Sequence, residues 1–141
     1  MSYQVANNSN SINAQTSSFG LSPNVASLVS YVWVPVTSIL VIATEKQNRL
    51  VRFHAWQSLF FGLGIFALTI VLSLVIGVLM LVAGAISPYL GIIVSLGSLL
   101  VWMILALAIL GAWIMCLVKA YKGEMYRLPV VGKYAENMSV K

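Results

Sequence analysis

FHAWQSLFFGLGIFALTIVLSLVIGVLMLVAGAISPYLGIIVSLGSLLVWMILALAILGAWIMCLV, residues 53–118, runs for sixty-six positions without an Asp, Glu, Lys or Arg. A water-soluble domain cannot cover its surface with so little charge, so lipid must surround this stretch. The charges gather on either side of it. Glu45, Lys46, Arg49 and Arg52 come before, and Lys119, Lys122, Glu124, Arg127, Lys133, Glu136 and Lys141 come after. The chain as a whole has 141 residues, 60% hydrophobic and 8% charged, which suits one small integral-membrane domain.

A crossing needs about 20 helical residues, because the hydrocarbon is roughly 30 Å thick. Ser87-Pro88 interrupts the uncharged run, since a proline disfavours helix in the residue before it and Ala83-Gly84-Ala85 weakens the helix there. Two long helices are expected on either side, at about 50–86 and 89–122, whose apolar segments Phe53–Ile86 and Tyr89–Val118 would be roughly 50 and 45 Å long at 1.5 Å per residue. The second ends on Lys119 and Lys122, with Gly123 as C-cap. Upstream, Ser22-Pro23 reads as N-cap and first helical residue, and Val25–Ala43 gives nineteen uncharged positions. That length predicts a further crossing, about 23–43, kinked near Tyr31 to Pro35.

The expected fold is therefore all-α and integral to the membrane, a bundle of three transmembrane helices. An odd number of crossings puts the Lys46–Arg52 loop and the Lys119–Lys141 tail on one side. The excess of basic residues makes that side cytoplasmic, with the N-terminus and the Ser87-Pro88 turn outside. The domain plan is a disordered polar segment at 1–22, a membrane domain at 23–122 and an interfacial tail at 123–141. The first 24 residues carry no basic residue, which argues against a secretory signal or transit peptide, and the NNSNSINAQTSS stretch is too polar to pack. Asn7-Asn8-Ser9 matches a glycosylation sequon, a pattern common by chance.

The net charge of +5 flanks apolar segments, which points to anionic lipid headgroups and not to nucleic acid. Cys116 is the single cysteine, so neither an intrachain disulfide nor a zinc cluster can form, and it reads as a small buried hydrophobe. Within the apolar run the polar groups are Ser58, Thr69, Ser73, Ser95 and Ser98, with no carboxylate, lysine or arginine to serve an ion pathway. No acid-base pair, nucleophile or metal set can be assembled, so no enzyme, catalytic residue, metal or cofactor is expected. Small residues four apart (Ser58/Gly62, Ser73/Gly77, Gly91/Ser95, Ala108/Ala112) would let helix backbones approach closely.

The entry to the long helix, Glu45 to Ser58, carries the most information. On a helix, Glu45, Arg49 and Arg52 would share a face toward headgroups, while His54, Gln57 and Ser58 would turn into the bundle. The bland alternative is that Arg49 and Trp56 merely anchor at the interface and His54 is an ordinary hydrogen-bonded histidine. In the tail, tyrosines alternate with basic residues, Pro129 and Gly132 suggest a turn, and Glu124 is expected to pair with Arg52 or Arg49.

The motif Glu45-Lys46 with Val51-Arg52-Phe53-His54-Ala55-Trp56-Gln57-Ser58, and Ala120-Tyr121-x-Gly-Glu-x-Tyr-x-x-Pro-x-x-Gly after the last helix, resembles the Tic-twenty-like small membrane proteins. That group takes in a chloroplast inner-envelope translocon component, bacterial relatives and MamF-like magnetosome proteins. The resemblance covers roughly 24–136. It implies a microsite joining loop and tail at Arg52, His54, Gln57, Tyr121, Gly123, Glu124, Tyr126 and Pro129, to which the charge pattern adds Glu45 and Arg49. The plastid member has four predicted crossings and an import role, from which a three-crossing chain departs. The expected role is that of a non-enzymatic accessory subunit or self-assembling scaffold, as a homo-oligomer or within a larger complex. A pore or translocon component is the alternative. The expected location is a bacterial inner membrane or a plastid-type membrane.

Overall fold

The structure, a computed structural model, describes residues 16–140. The sequon and the residues up to 15 of the polar N-terminal segment lie outside the described residues. Five helices follow one another: α1 (Pro23–Val29), α2 (Val36–Thr44), α3 (Arg49–Ile86), α4 (Pro88–Tyr121) and α5 (Val131–Ser139). The chain divides into two compact units, residues Met1–Leu63 with Ile114–Lys141, and residues Gly64–Trp113.

Two helices among the described residues, α3 with 38 residues and α4 with 34, are long and apolar enough to cross a membrane. At 1.5 Å per residue they measure roughly 57 and 51 Å. Ser87 alone separates them, and Ser87 N still reaches the carbonyl of Ala83 at 3.0 Å. In the unit Gly64–Trp113 no residue is buried by the chain itself. Two of its hydroxyls turn back on their own helices: Thr69 donates to the Phe66 carbonyl at 2.8 Å and Ser98 to the Ser95 carbonyl at 2.7 Å. Near the turn, Gly84 and Gly91 approach so closely that a Cβ on Gly91 would lie 3.4 Å from the Gly84 Cα.

The expected single helix at 23–43 is corrected. Residues 23–43 do not form one kinked helix; α1 and α2 are separate, with six residues between them and a cis Val34–Pro35 bond. At seven and nine residues, or about 10 and 14 Å, neither is long enough to span. The segment also returns to where it began. Ser18 donates its backbone N–H (2.7 Å) and its hydroxyl (3.0 Å) to the Glu45 carboxylate. A single crossing would hold those two residues about 30 Å apart. Pro35 brings the break about because it has no N–H to donate and its ring clashes with the preceding turn.

The broken backbone is satisfied by side chains. The Ser30 carbonyl accepts from Ser58 Oγ at 2.6 Å, Ser38 Oγ at 3.0 Å and Thr37 Oγ1 at 3.4 Å. Ser58 and Ser38 also meet each other at 3.0 Å. Gly62 abuts the Val34 side chain, so a residue with a Cβ would clash there. The Ser58/Gly62 pair thus admits the broken segment against α3. Ala26 and Val41 pack on Val51 and Ala55, with Val29 and Ile42 beside them.

Candidate functional site

The unit containing both termini is held by buried polar side chains. Glu45 is fully buried and clasps the chain before α1 to the loop between α2 and α3. Besides Ser18, it accepts the backbone N–H groups of Gln47 and Asn48, each at 3.0 Å. Burial pushes this carboxyl up, but the hydrogen bonds from Asn48, Ser18 and Gln47 outweigh that and hold it below the usual carboxylate range. Asn48 then caps α3, its Oδ1 accepting from Leu50 N at 3.0 Å and Val51 N at 3.4 Å. Glu45 is therefore a loop clasp, not a member of a helical face with Arg49 and Arg52.

One turn further, Tyr31, His54 and Gln57 form a chain that fixes its own proton positions. Gln57 Nε2 donates to the Tyr31 hydroxyl at 3.2 Å. The Tyr31 hydroxyl lies 3.2 Å from His54 Nδ1, and His54 Nε2 lies 3.2 Å from the Glu124 carbonyl. That carbonyl can only accept, so Nε2 carries the proton and Nδ1 accepts from Tyr31. Gln57 Oε1 accepts from Leu128 N at 3.3 Å, and its amide also reaches Cys116 Sγ at 3.7 Å. His54 and Gln57 thus tie the break between α1 and α2 to the C-terminal tail.

Most of the motif residues in the tail act through backbone geometry. Gly123 has φ +71° and closes α4 in a Schellman arrangement: Glu124 N bonds the Lys119 carbonyl and Gly123 N the Ala120 carbonyl, both at 3.0 Å. A Cβ at Gly123 would also sit 2.9 Å from Asn24 Oδ1. Pro129 and Val130 form an exposed turn into α5, closed by Gly132 N on the Leu128 carbonyl at 2.9 Å. Gly132 has no room for a side chain, because a Cβ would lie 2.7 Å from that of Arg127. Tyr121 is exposed and takes no part in the cluster, while Tyr126 is half-buried with Lys119 Nζ 5.9 Å above its ring.

The expected pairing of Glu124 with Arg52 or Arg49 is corrected. Glu124 pairs with Lys119 at 2.5 Å, and the Lys119 ammonium holds its carboxyl below the usual range. Five residues away across the helix cap, Lys119 is the nearer cation. The acid that meets Arg49 is Glu136 of α5, at 3.7 Å, and Glu136 also accepts from Arg127 at 2.6 Å. Arg52 Nη2 contacts the Met138 carbonyl at 3.5 Å. The helix entry and the tail do meet, but through Glu136, Met138, Leu128 and the backbone of Glu124. Sequence reasoning did not single out Ser18, Tyr31, Asn48 or Leu128 for the site. Tyr31 had a usable signal, a tyrosine beside a proline break in an apolar stretch.

The comparisons follow from these features. Residues 14–135 match the model of the magnetosome magnetite crystal formation protein family. A UPF0132 membrane protein of Methanocaldococcus jannaschii is 34% identical over 125 residues, covering 86% of this chain and 93% of the relative. A UPF0132 membrane protein of Archaeoglobus fulgidus is 35% identical over 113 residues, covering 80% and 91%. No solved structure matches. The chain belongs to the magnetosome magnetite crystal formation protein family, and the relatives above are named membrane proteins; the chloroplast translocon resemblance is not among these matches.

Proposed function

We propose that this member of the magnetosome magnetite crystal formation family works without catalysis, as an accessory subunit or self-assembling scaffold of a prokaryotic inner-membrane complex. The observation that carries the reading is Gln57, which joins the α1–α2 break through Tyr31 to the tail through Leu128. A helix entry, a broken hairpin and a tail locked together make a rigid face at the membrane boundary. Rigid faces serve docking. In this reading α3 and α4 span the membrane and residues 18–45 enter and leave on one side, so Ser18 and the tail from Gly123 share a compartment. The basic residues make that compartment the cytoplasm.

What this chain can bring to a mineral-forming membrane is placement and a docking face, not iron ligation. Its three carboxylates are engaged: Glu45 by Ser18, Gln47 and Asn48, Glu124 by Lys119, and Glu136 by Arg49 and Arg127. Light scattering of the full chain in mild detergent, with mass spectrometry of co-eluting chains, tests the role. A multimer, or a partner in fixed ratio, is expected. A lone monomer at every concentration would contradict it, and reproducible conductance in planar bilayers would point to a pore instead.

A further inference from the structure

α4 carries an exposed tyrosine at each end, Tyr89 at 79% and Tyr121 at 65%, and exposed tyrosines of membrane helices gather at the two faces of the bilayer. Thirty-two positions separate them, roughly 48 Å of helix. Hydrocarbon is usually about 30 Å thick, and about 33 Å in the thicker natural membranes. Membrane helices tilt to about 40° at most, and at that angle the two tyrosines would still stand roughly 37 Å apart along the bilayer normal. The same excess appears on α3, whose uncharged part, residues 53–86, runs roughly 51 Å.

Neither end of this length fits water. At the near end α2 runs back along α3, with Val34 against Gly62 and Val41 against Val51 and Ala55. On that returning stretch Ile39 and Leu40 are more than half exposed. An apolar outer surface therefore starts at the level of Val51 to Ala55, where the uncharged run starts too. At the far end Leu81, Val82, Ile86 and Leu90 are exposed around the Ser87-Pro88 turn, with no charged residue near them in sequence. Between the two ends Thr69 and Ser98 bond their own helices, so these hydroxyls call for no protein partner. The surface suits hydrocarbon along its whole length.

We propose that α3 and α4 are fitted to a bilayer of long acyl chains, whose hydrocarbon is several ångströms thicker than usual. The inference rests on the reading that these two helices span, and it adds which kind of membrane they span. Each ångström of mismatch costs free energy, so the chain gathers where the bilayer is thick or draws long-chain lipid around itself.

Reversible unfolding of the full chain in phosphatidylcholine vesicles, with monounsaturated chains of about 14, 18 and 22 carbons, tests the fit. The folding equilibrium constant is expected to be about tenfold larger at 22 carbons than at 18, and smallest at 14. A variant lacking residues 71–77 and 97–103 loses about two turns from each helix, keeps the facing of what remains, and should be most stable at 18 carbons. The wild-type series decides alone if that variant does not fold. In the same vesicles Ser87→Cys, in a Cys116→Ala background, should react with an impermeant maleimide from the side opposite the tail at every chain length. That labelling reports the span by itself, so a wrong thickness and a wrong topology are told apart. An optimum at 18 carbons, an unshifted optimum in the shortened variant, or no dependence on chain length would overturn the proposal, the last because another protein surface would then cover the excess.

Discussion

Residues 16–63 with 114–140 bury a glutamate, an asparagine, a histidine and a glutamine, whereas residues Gly64–Trp113 bury nothing against the chain itself. In the first region buried side chains such as Gln57, held between Tyr31 and Leu128, have partners that only one arrangement supplies. In the second, the hydroxyls of Thr69 and Ser98 look to their own helices, and the remaining side chains ask only for an apolar solvent. Specificity therefore resides in the polar base, and the long apolar stretch supplies length and lipid contact. Substitutions should divide along the same boundary.

The largest effect is expected from Gln57→Leu, which leaves the Leu128 N–H without its acceptor and takes a donor from the Tyr31 hydroxyl in a buried site. A cost of about 2–5 kcal/mol should appear as a lower unfolding midpoint in mild detergent. Next comes Glu45→Ala, which leaves the N–H groups of Ser18, Gln47 and Asn48 without their acceptor, at a cost of about 2–4 kcal/mol by the same measurement. This site also responds to acid. The folded Glu45 carboxyl sits below its unfolded value, so its contribution is complete above the ordinary carboxylate range. It is lost as the pH falls through the lowered folded value, below about pH 4.3. A melting series from pH 7 down to 3 should show that loss in the wild type and a flatter acid limb in Glu45→Gln.

Gly123→Ala should cost about 1–2 kcal/mol, because a Cβ at φ +71° is strained and also meets Asn24. Equal stability of this variant would mean that the α4 cap is not fixed as described. The smallest change is expected in the apolar stretch. Thr69→Val exchanges a hydroxyl bonded to its own helix for a methyl group and should stay within about 0.5 kcal/mol. A loss there as large as that of Gln57→Leu would erase the contrast between the regions.

The long helices were legible because an uncharged run of this length leaves few alternatives, and Ser87-Pro88 and Gly123 mark their ends by backbone chemistry. The inward turn of His54, Gln57 and Ser58 was legible from helical spacing. The break in 23–43 was not, because counting apolar residues measures length and not direction. Nineteen uncharged positions read alike whether they cross once or fold back on Pro35. Pro35 signals a kink and not a reversal, and Ser30, Ser38 and Ser58 add little, since serines are common in membrane helices for other reasons. Glu45 was misplaced because a carboxylate near arginines suggests an ion pair, while its partners here are backbone N–H groups that sequence does not show. Glu124 was assigned to distant arginines because the Gly123 turn, which presents it to Lys119, is a matter of geometry. Pairings across the tail, such as Glu136 with Arg49, depend on where α5 lies, and that follows from Gly132 having no room for a side chain.

The central claim is that residues 18–45 turn back, so that Ser18 meets Glu45. Single cysteines placed at Thr16, Arg49 and Arg127, each in a Cys116→Ala background, can be labelled in sealed vesicles of known orientation with a membrane-impermeant maleimide. The account predicts that all three react from the same side, the cytoplasmic one. Labelling of position 16 from the opposite side to 49 and 127 would restore a first crossing and contradict it.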